Sequence, residues 1–182
     1  MRDKPMRHQS GASLIEILVT ILILSFGMLA LSGMMAYAVQ MPKFSAYRAT
    51  AVAIAAGHIE RMRANVDGFQ AGGYNETMTF AATLPTVTPC AYPACDAAAI
   101  ATRDKNETNQ TLRRELPQGG MRMICNGACT SNEGYLWVIW QEPTTFAAVN
   151  ASEVDQCPDP AESPSFTAFT TQPRCILIRF RL

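Results

Sequence analysis

No Asp, Glu, Lys or Arg lies between Glu16 and Lys43 of this chain. The sequence has two histidines, His8 and His58, and no cysteine before Cys90. It lacks an excess of either charge, with 15 basic against 15 acidic residues in 182. Each scarcity narrows the function. Balanced charge, with no basic cluster beside aromatics, argues against a nucleic-acid partner. His8 sits in a short basic N-terminal segment, so His58 alone would have to serve a Ser-His-Asp or Cys-His site. There is no G-x-S-x-G elbow, H-E-x-x-H pair or phosphate-binding loop. No C-x-x-C pair suits zinc. Glu107, Glu115, Glu133, Glu142, Glu153, Asp155 and Asp159 leave a carboxylate pair for glycoside hydrolysis open, but nothing marks two of them out. The reading is a non-enzyme without cofactor or metal.

What fills the uncharged stretch is apolar or small. Ile17 to Met41 makes roughly 25 residues, or about 37 Å of helix, against a bilayer core of about 30 Å. Glu16 stands at its entrance, where a carboxylate in lipid is disfavoured by a few kcal/mol. Ser13-x-x-Glu16 fits a capping box, which alone accounts for both residues. The residues before it add a second reading. Met1 to Gln9 is polar, with Arg2, Lys4 and Arg7 against Asp3. A secretory signal peptide is cut after its apolar segment. Here a Gly11–Ala12 junction precedes the segment. A cut there leaves the apolar helix on the protein and creates an α-amino group close to Glu16.

Gly11-Ala12-Ser13-Leu14-Ile15-Glu16 and the run that follows resemble the leader of type IV prepilins. The resemblance implies cleavage after Gly11 by prepilin peptidase, methylation of Ala12, and pairing of Glu16 with a terminal amine during assembly. A buried carboxylate beside a cationic amine is far less costly than an unpaired one. Ala12 departs from the phenylalanine usual in the family. The stretch Glu60-Arg61-Met62-Arg63-Ala64-Asn65, after an alanine-rich helix, is similar to the minor pilins called type IV pilus modification proteins, the PilV group. The resemblance implies an α+β pilin fold: a long N-terminal helix packed on a C-terminal antiparallel sheet with disulfide-bonded loops. The expected divisions are a leader 1–11, a transmembrane and assembly half-helix 12–41, an amphipathic half 42–66, and a globular head 67–182. The implied role is a minor pilin that helps initiate or modify pilus assembly, and so twitching motility or adhesion. Its implied partners are other minor pilins and the major pilin, prepilin peptidase, and the inner-membrane assembly platform. A type II secretion pseudopilin shares the leader and helix. A membrane-anchored periplasmic enzyme or sugar-binding module is the reading from another class.

The basic segment before the span favours a cytoplasmic N-terminus and a head outside the inner membrane, then at the pilus or cell surface. Six cysteines, Cys90, Cys95, Cys125, Cys129, Cys157 and Cys175, all follow the span and read as disulfides of an oxidising compartment. Six allow 15 connectivities. Local spacing suggests Cys90–Cys95, Cys125–Cys129 and Cys157–Cys175, and the resemblance favours the last as a C-terminal loop.

Along the chain, Pro42 should kink or loosen the helix. From Phe44 to Asn65, Val52, Ala55, Ile59 and Met62 recur at helical spacing, with Arg48, His58, Glu60, Arg61 and Arg63 at other positions. Glu60, Arg61 and Arg63 read as a solvated face. Asn65, Asp67 and Gly68 should stop the helix. A short strand is allowed near Met78–Ala81. Asp96 should cap a helical piece through Ala97–Thr102, with a second running to Leu116 and packing through Leu112 and Leu116. Met121–Cys125, Tyr135–Gln141 and Cys175–Phe180 read as strands of a three- or four-stranded sheet. Trp137 and Trp140 fall on opposite faces of one strand, so at least one belongs to the core. Asn75, Asn106, Asn109 and Asn150 head glycosylation sequons that polar loops produce by chance.

Overall fold

The computed structural model describes residues 13–76, 83–93, 95–141, 156–158 and 173–182. The expected Met78–Ala81 strand lies outside them. The chain divides into two compact units, Met1–Phe44 and Ser45–Leu182.

Helix α1 spans Leu14–Ala64, and its first part makes up the described portion of the first unit. Pro42 lies inside α1 and does not end it. A helix-interior proline supplies no N–H to the turn before it, and the division between the units falls two residues beyond. In the first unit the large side chains from Leu14 to Val39 are exposed. Three hydroxyls in this apolar stretch turn back on the helix itself. Thr20, Ser25 and Ser32 donate to the carbonyls of Ile17, Ile21 and Met28 at 2.8, 2.7 and 2.8 Å. Such bonds satisfy these three donors where water is absent.

In the second unit, α1 buries Ala51, Ala55, His58, Ile59 and Met62. This corrects the stripe read from the sequence: Val52 is half exposed, and Ala51 takes the inward position beside it. Helix phase explains the difference, since 51, 55, 58 and 62 fall on one face and 52 lies off it. The stop signals act in two stages. α1 ends at Ala64, but Asp67 and Gly68 lie within a further short helix, α2 (Val66–Gln70). Asn65 caps α2 by accepting from the Gly68 N–H at 3.3 Å. Its amide also donates to the Ala97 carbonyl at 2.8 Å and the Tyr74 oxygen at 3.2 Å.

One continuous helix, α3 (Ala97–Glu115), replaces the two pieces expected. Asp96 caps it, accepting from the Ala99 N–H at 2.7 Å. Leu112 and Leu116 are fully buried, as their spacing implies. The chain ahead of α3 is held along its flank, where Asn106 and Gln110 donate to the carbonyls of Thr86 and Pro85 at 3.1 and 3.0 Å.

Three antiparallel strands follow: β1 (Gly120–Cys125), β2 (Glu133–Trp140) and β3 (Arg174–Arg181), with β2 central. Register places Met121, Val138 and Ile176 in one row and Met123, Leu136 and Ile178 in the next. These rows, with Trp140, share a core with the inward face of α1, with Phe69, and with Leu112 and Leu116 of α3. The opposite face carries a second cluster of Trp137, Ile139 and Cys175. Both tryptophans are therefore buried, one in each layer. The outer edge of β1 gains one bridge, Glu76 to Met123.

Two glycines give opposite expectations. A Cβ on Gly119 would lie 2.3 Å from the Leu112 carbonyl oxygen, which already closes the end of α3 by accepting from Leu116. Gly119→Ala should destabilise the fold by on the order of 2 kcal/mol, seen as a lower denaturant midpoint with an unchanged slope. A Cβ on Gly57 meets nothing within 4 Å. Gly57→Ala should raise that midpoint, by about 0.5–1 kcal/mol from helix propensity. A destabilising Gly57→Ala would mean that this helix face is not free.

Candidate functional site

Glu16 lies in the first turn of α1, and the Glu16 and Ile17 N–H groups donate to the Ser13 carbonyl at 2.9 and 3.2 Å. A carboxylate suits this position because the helix dipole is positive there. Its neighbours Leu14, Ile15, Ile17 and Leu18 are all exposed. Gly11 and Ala12, the expected cleavage pair, lie outside the described residues. Leu14–Val39 is about 39 Å of helix, enough to cross a bilayer core of about 30 Å, and α1 is long and apolar enough to do so by length and composition. The arrangement is a long, exposed apolar rod with one carboxylate at its head.

Three disulfides stand in the second unit: Cys90–Cys95, Cys125–Cys129 and Cys157–Cys175. Cys125–Cys129 closes the turn from β1 into a 3₁₀ turn at Cys129–Ser131. Asn75 braces it by accepting from the Cys125 N–H at 3.2 Å. Cys157–Cys175 ties residues 156–158 to the second sheet face, where Cys175 is 3% exposed.

The expected solvated face at Glu60, Arg61 and Arg63 is only partly so. Glu60 and Arg63 pair with each other at the surface. Arg61 instead reaches α3, pairing with Glu107 and, at 3.5 Å, with Asp104. Beside it lies a polar cluster that the sequence reading missed. His58 is 1% exposed, and its Nδ1 stands 2.8 Å from the Thr108 hydroxyl. Tyr74 is fully buried and donates to Asp104 at 2.6 Å. Burial and the bond to Asp104 push the Tyr74 phenol well above its ordinary value, so it stays a proton donor. The signal for His58 was its spacing, since 51, 55, 58 and 62 fall on one helix face.

The scattered carboxylates do not assemble a hydrolytic pair among the described residues. Glu107 is held below its ordinary value by hydrogen bonds from Arg61 and Arg103, the opposite of what a general acid needs. Glu133 lies 3.9 Å from Arg181. Glu142, Glu153, Asp155 and Asp159 lie outside the described residues, as does Asn150. Of the other sequons, Asn106 and Asn109 stand on α3 rather than in a loop, and Asn109 is buried. Among the described residues, no group of three or more His, Cys, Asp or Glu is placed to hold a metal.

Two family models match the chain. The prokaryotic N-terminal methylation motif matches residues 6–32, and the family described as Type IV pilin Tt1218 matches residues 33–106. No curated protein and no solved structure gives a significant match. The two family matches adjoin. They cover the candidate leader from Met6 on, the whole of α1 and α2, and the first half of α3. With a long apolar N-terminal helix, a small antiparallel sheet and disulfide-bonded turns, the chain belongs to the type IV pilins, a family of structural pilus subunits.

Proposed function

We propose that this chain is a minor pilin of the type IV pilus modification group, which enters the fibre through the first half of α1 and helps initiate or modify assembly. One observation carries the reading. The large side chains from Leu14 to Val39 are exposed on a stretch of helix whose one charge, Glu16, stands at its start. In water such a surface would drive aggregation. It is at home first in a bilayer and then among like helices, where Ala30, Ser32, Gly33, Ala36 and Ala38 permit close packing. Cleavage after Gly11 leaves Ala12 as the methylated terminus and Glu16 within reach of an amine on a neighbouring subunit. The basic leader keeps the N-terminus cytoplasmic, and the disulfide-bonded unit is exported across the inner membrane. The protein is structural and has no catalytic step. Its contribution to twitching motility or adhesion follows from its place in the fibre.

The deciding experiment is intact mass and N-terminal sequencing of the protein from membranes of a cell with prepilin peptidase. The expected result is N-methyl-Ala12 and a mass about 6 Da below the fully reduced form, two hydrogens for each of three bridges. A start at Val39 would place the cut after Ala36-Tyr37-Ala38, mark the apolar run as a discarded signal, and overturn the proposal. Gly11→Ala should block processing, seen as retention of residues 1–11. Glu16→Ala should lower the amount recovered in sheared pili at least tenfold while leaving the unfolding midpoint of the disulfide-bonded unit unchanged. Equal incorporation of Glu16→Ala would remove the carboxylate–amine pairing from the mechanism.

A further inference from the structure

His58 is a buried base with half of its hydrogen-bonding capacity in use. The Thr108 hydroxyl donates its proton to the Asp104 carbonyl at 2.8 Å. The contact of 2.8 Å between Thr108 Oγ1 and His58 Nδ1 must then take its proton from the imidazole. The neutral ring therefore carries its hydrogen on Nδ1 and a lone pair on Nε2. Nε2 is buried and has no hydrogen-bond partner among the described residues. It is the atom that takes the next proton.

The surroundings oppose that proton. From α1, Arg61 stands one turn on. From α3, Lys105 adds a second cation, and Asp104 and Glu107 are already engaged by Arg61. From residues 71–76, the Tyr74 ring packs edge-on at 5.8 Å with its hydroxyl committed to Asp104, and Glu76 pairs with Lys105 at 3.4 Å. Burial, then Arg61 and Lys105, push the imidazole down to about 4.

The location gives the charge its effect. The first three turns of α3, and Thr108 just beyond them, are held to α1 and its extension largely by polar links: Asn65 to Ala97, Arg61 to Asp104 and Glu107, and His58 to Thr108. Ala101 is the one fully buried apolar residue in those turns, whereas Leu112 and Leu116 anchor the far end. A cation created at His58, within the influence of Arg61 and Lys105, acts where the polar-linked turns end.

We propose that His58 and Thr108 form an acid-sensitive clasp between α1 and the middle of α3, opened when Nε2 takes a proton. The direction follows from linkage. The unfolded or opened chain binds a proton near 6.5, its ordinary value, whereas the closed fold resists it down to about 4. The clasp is therefore at full strength above pH 6.5 and weakens as pH falls towards 4. Between pH 7 and pH 5 the equilibrium constant for opening should rise on the order of 20-fold. Glu107 acts in a lower window, because its proton returns only below the ordinary carboxylate range.

The test uses the full-length chain in detergent micelles and follows the His58 imidazole by NMR. His58 should stay neutral through pH 6.5 while closed. Amides near Thr108 should lose hydrogen-exchange protection between pH 7 and pH 5, beyond the intrinsic change in exchange rate, while amides from Leu136 to Trp140 keep theirs. His58→Gln should abolish that selective loss. Titration of His58 near 6.5 with α3 still protected would overturn the clasp. Equal loss in α3 and β2 would overturn it as a local device. If His58→Gln does not fold, the wild-type titration and exchange pattern decide alone.

Discussion

The second unit depends on the one core that a sheet and a second helix share with the latter half of α1. Ala51 and Ala55 are fully buried in it. Their small side chains let rows from all three strands share one core with Ile59 and Met62. A larger residue at either position would force the layers apart and leave voids around Leu136, Val138 and Trp140, and interiors packed at this density tolerate little of that. Asn65 at the end of α1 ties the same elements together. Its one side chain caps α2, holds the start of α3 through Ala97 and meets Tyr74.

The two halves of α1 answer to different solvents. The first has no inward face, because large apolar residues surround it and its Thr20, Ser25 and Ser32 hydroxyls are satisfied by its own backbone. The second has one apolar face and one of Ala, Gly and charge. Pro42 stands close to the change, where a missing N–H costs least if helix neighbours or water take up the free carbonyl.

Much of this was legible in the sequence. Long-range periodic signals gave α1, Leu112 and Leu116, and the three strands, because period 3.6 and period 2 record which side faces the core. What was not legible turned on small or polar residues. Ala51 carries no more weight than Val52 until a neighbour is known to come close. His58 and Arg61 read as surface groups because polarity is the usual mark of exposure, and only Thr108, Asp104 and Glu107, more than forty residues on, make their positions sensible. The continuity of α3 was not legible because its middle, Arg103 to Gln110, is polar throughout. That stretch is held by Arg103–Glu107 across one turn and by back-bonded Thr108 and Thr111. The leader motif was the other kind of signal, a local string whose meaning lies in processing chemistry and leaves little trace in packing.

The bridge from Cys157 to Cys175 has a mechanical consequence. A subunit held in a fibre by its N-terminal helix is pulled from one end, and a stretched domain lengthens by the chain it releases. The 18-residue separation closed by this bridge would otherwise yield roughly 60 Å at about 3.4 Å per residue. Crosslinked, that length cannot be paid out, and β3, which begins at the bridge, cannot be drawn away from the segment that precedes it. Under load the bridge limits extensibility, and does so without adding to the force at which the sheet first gives way.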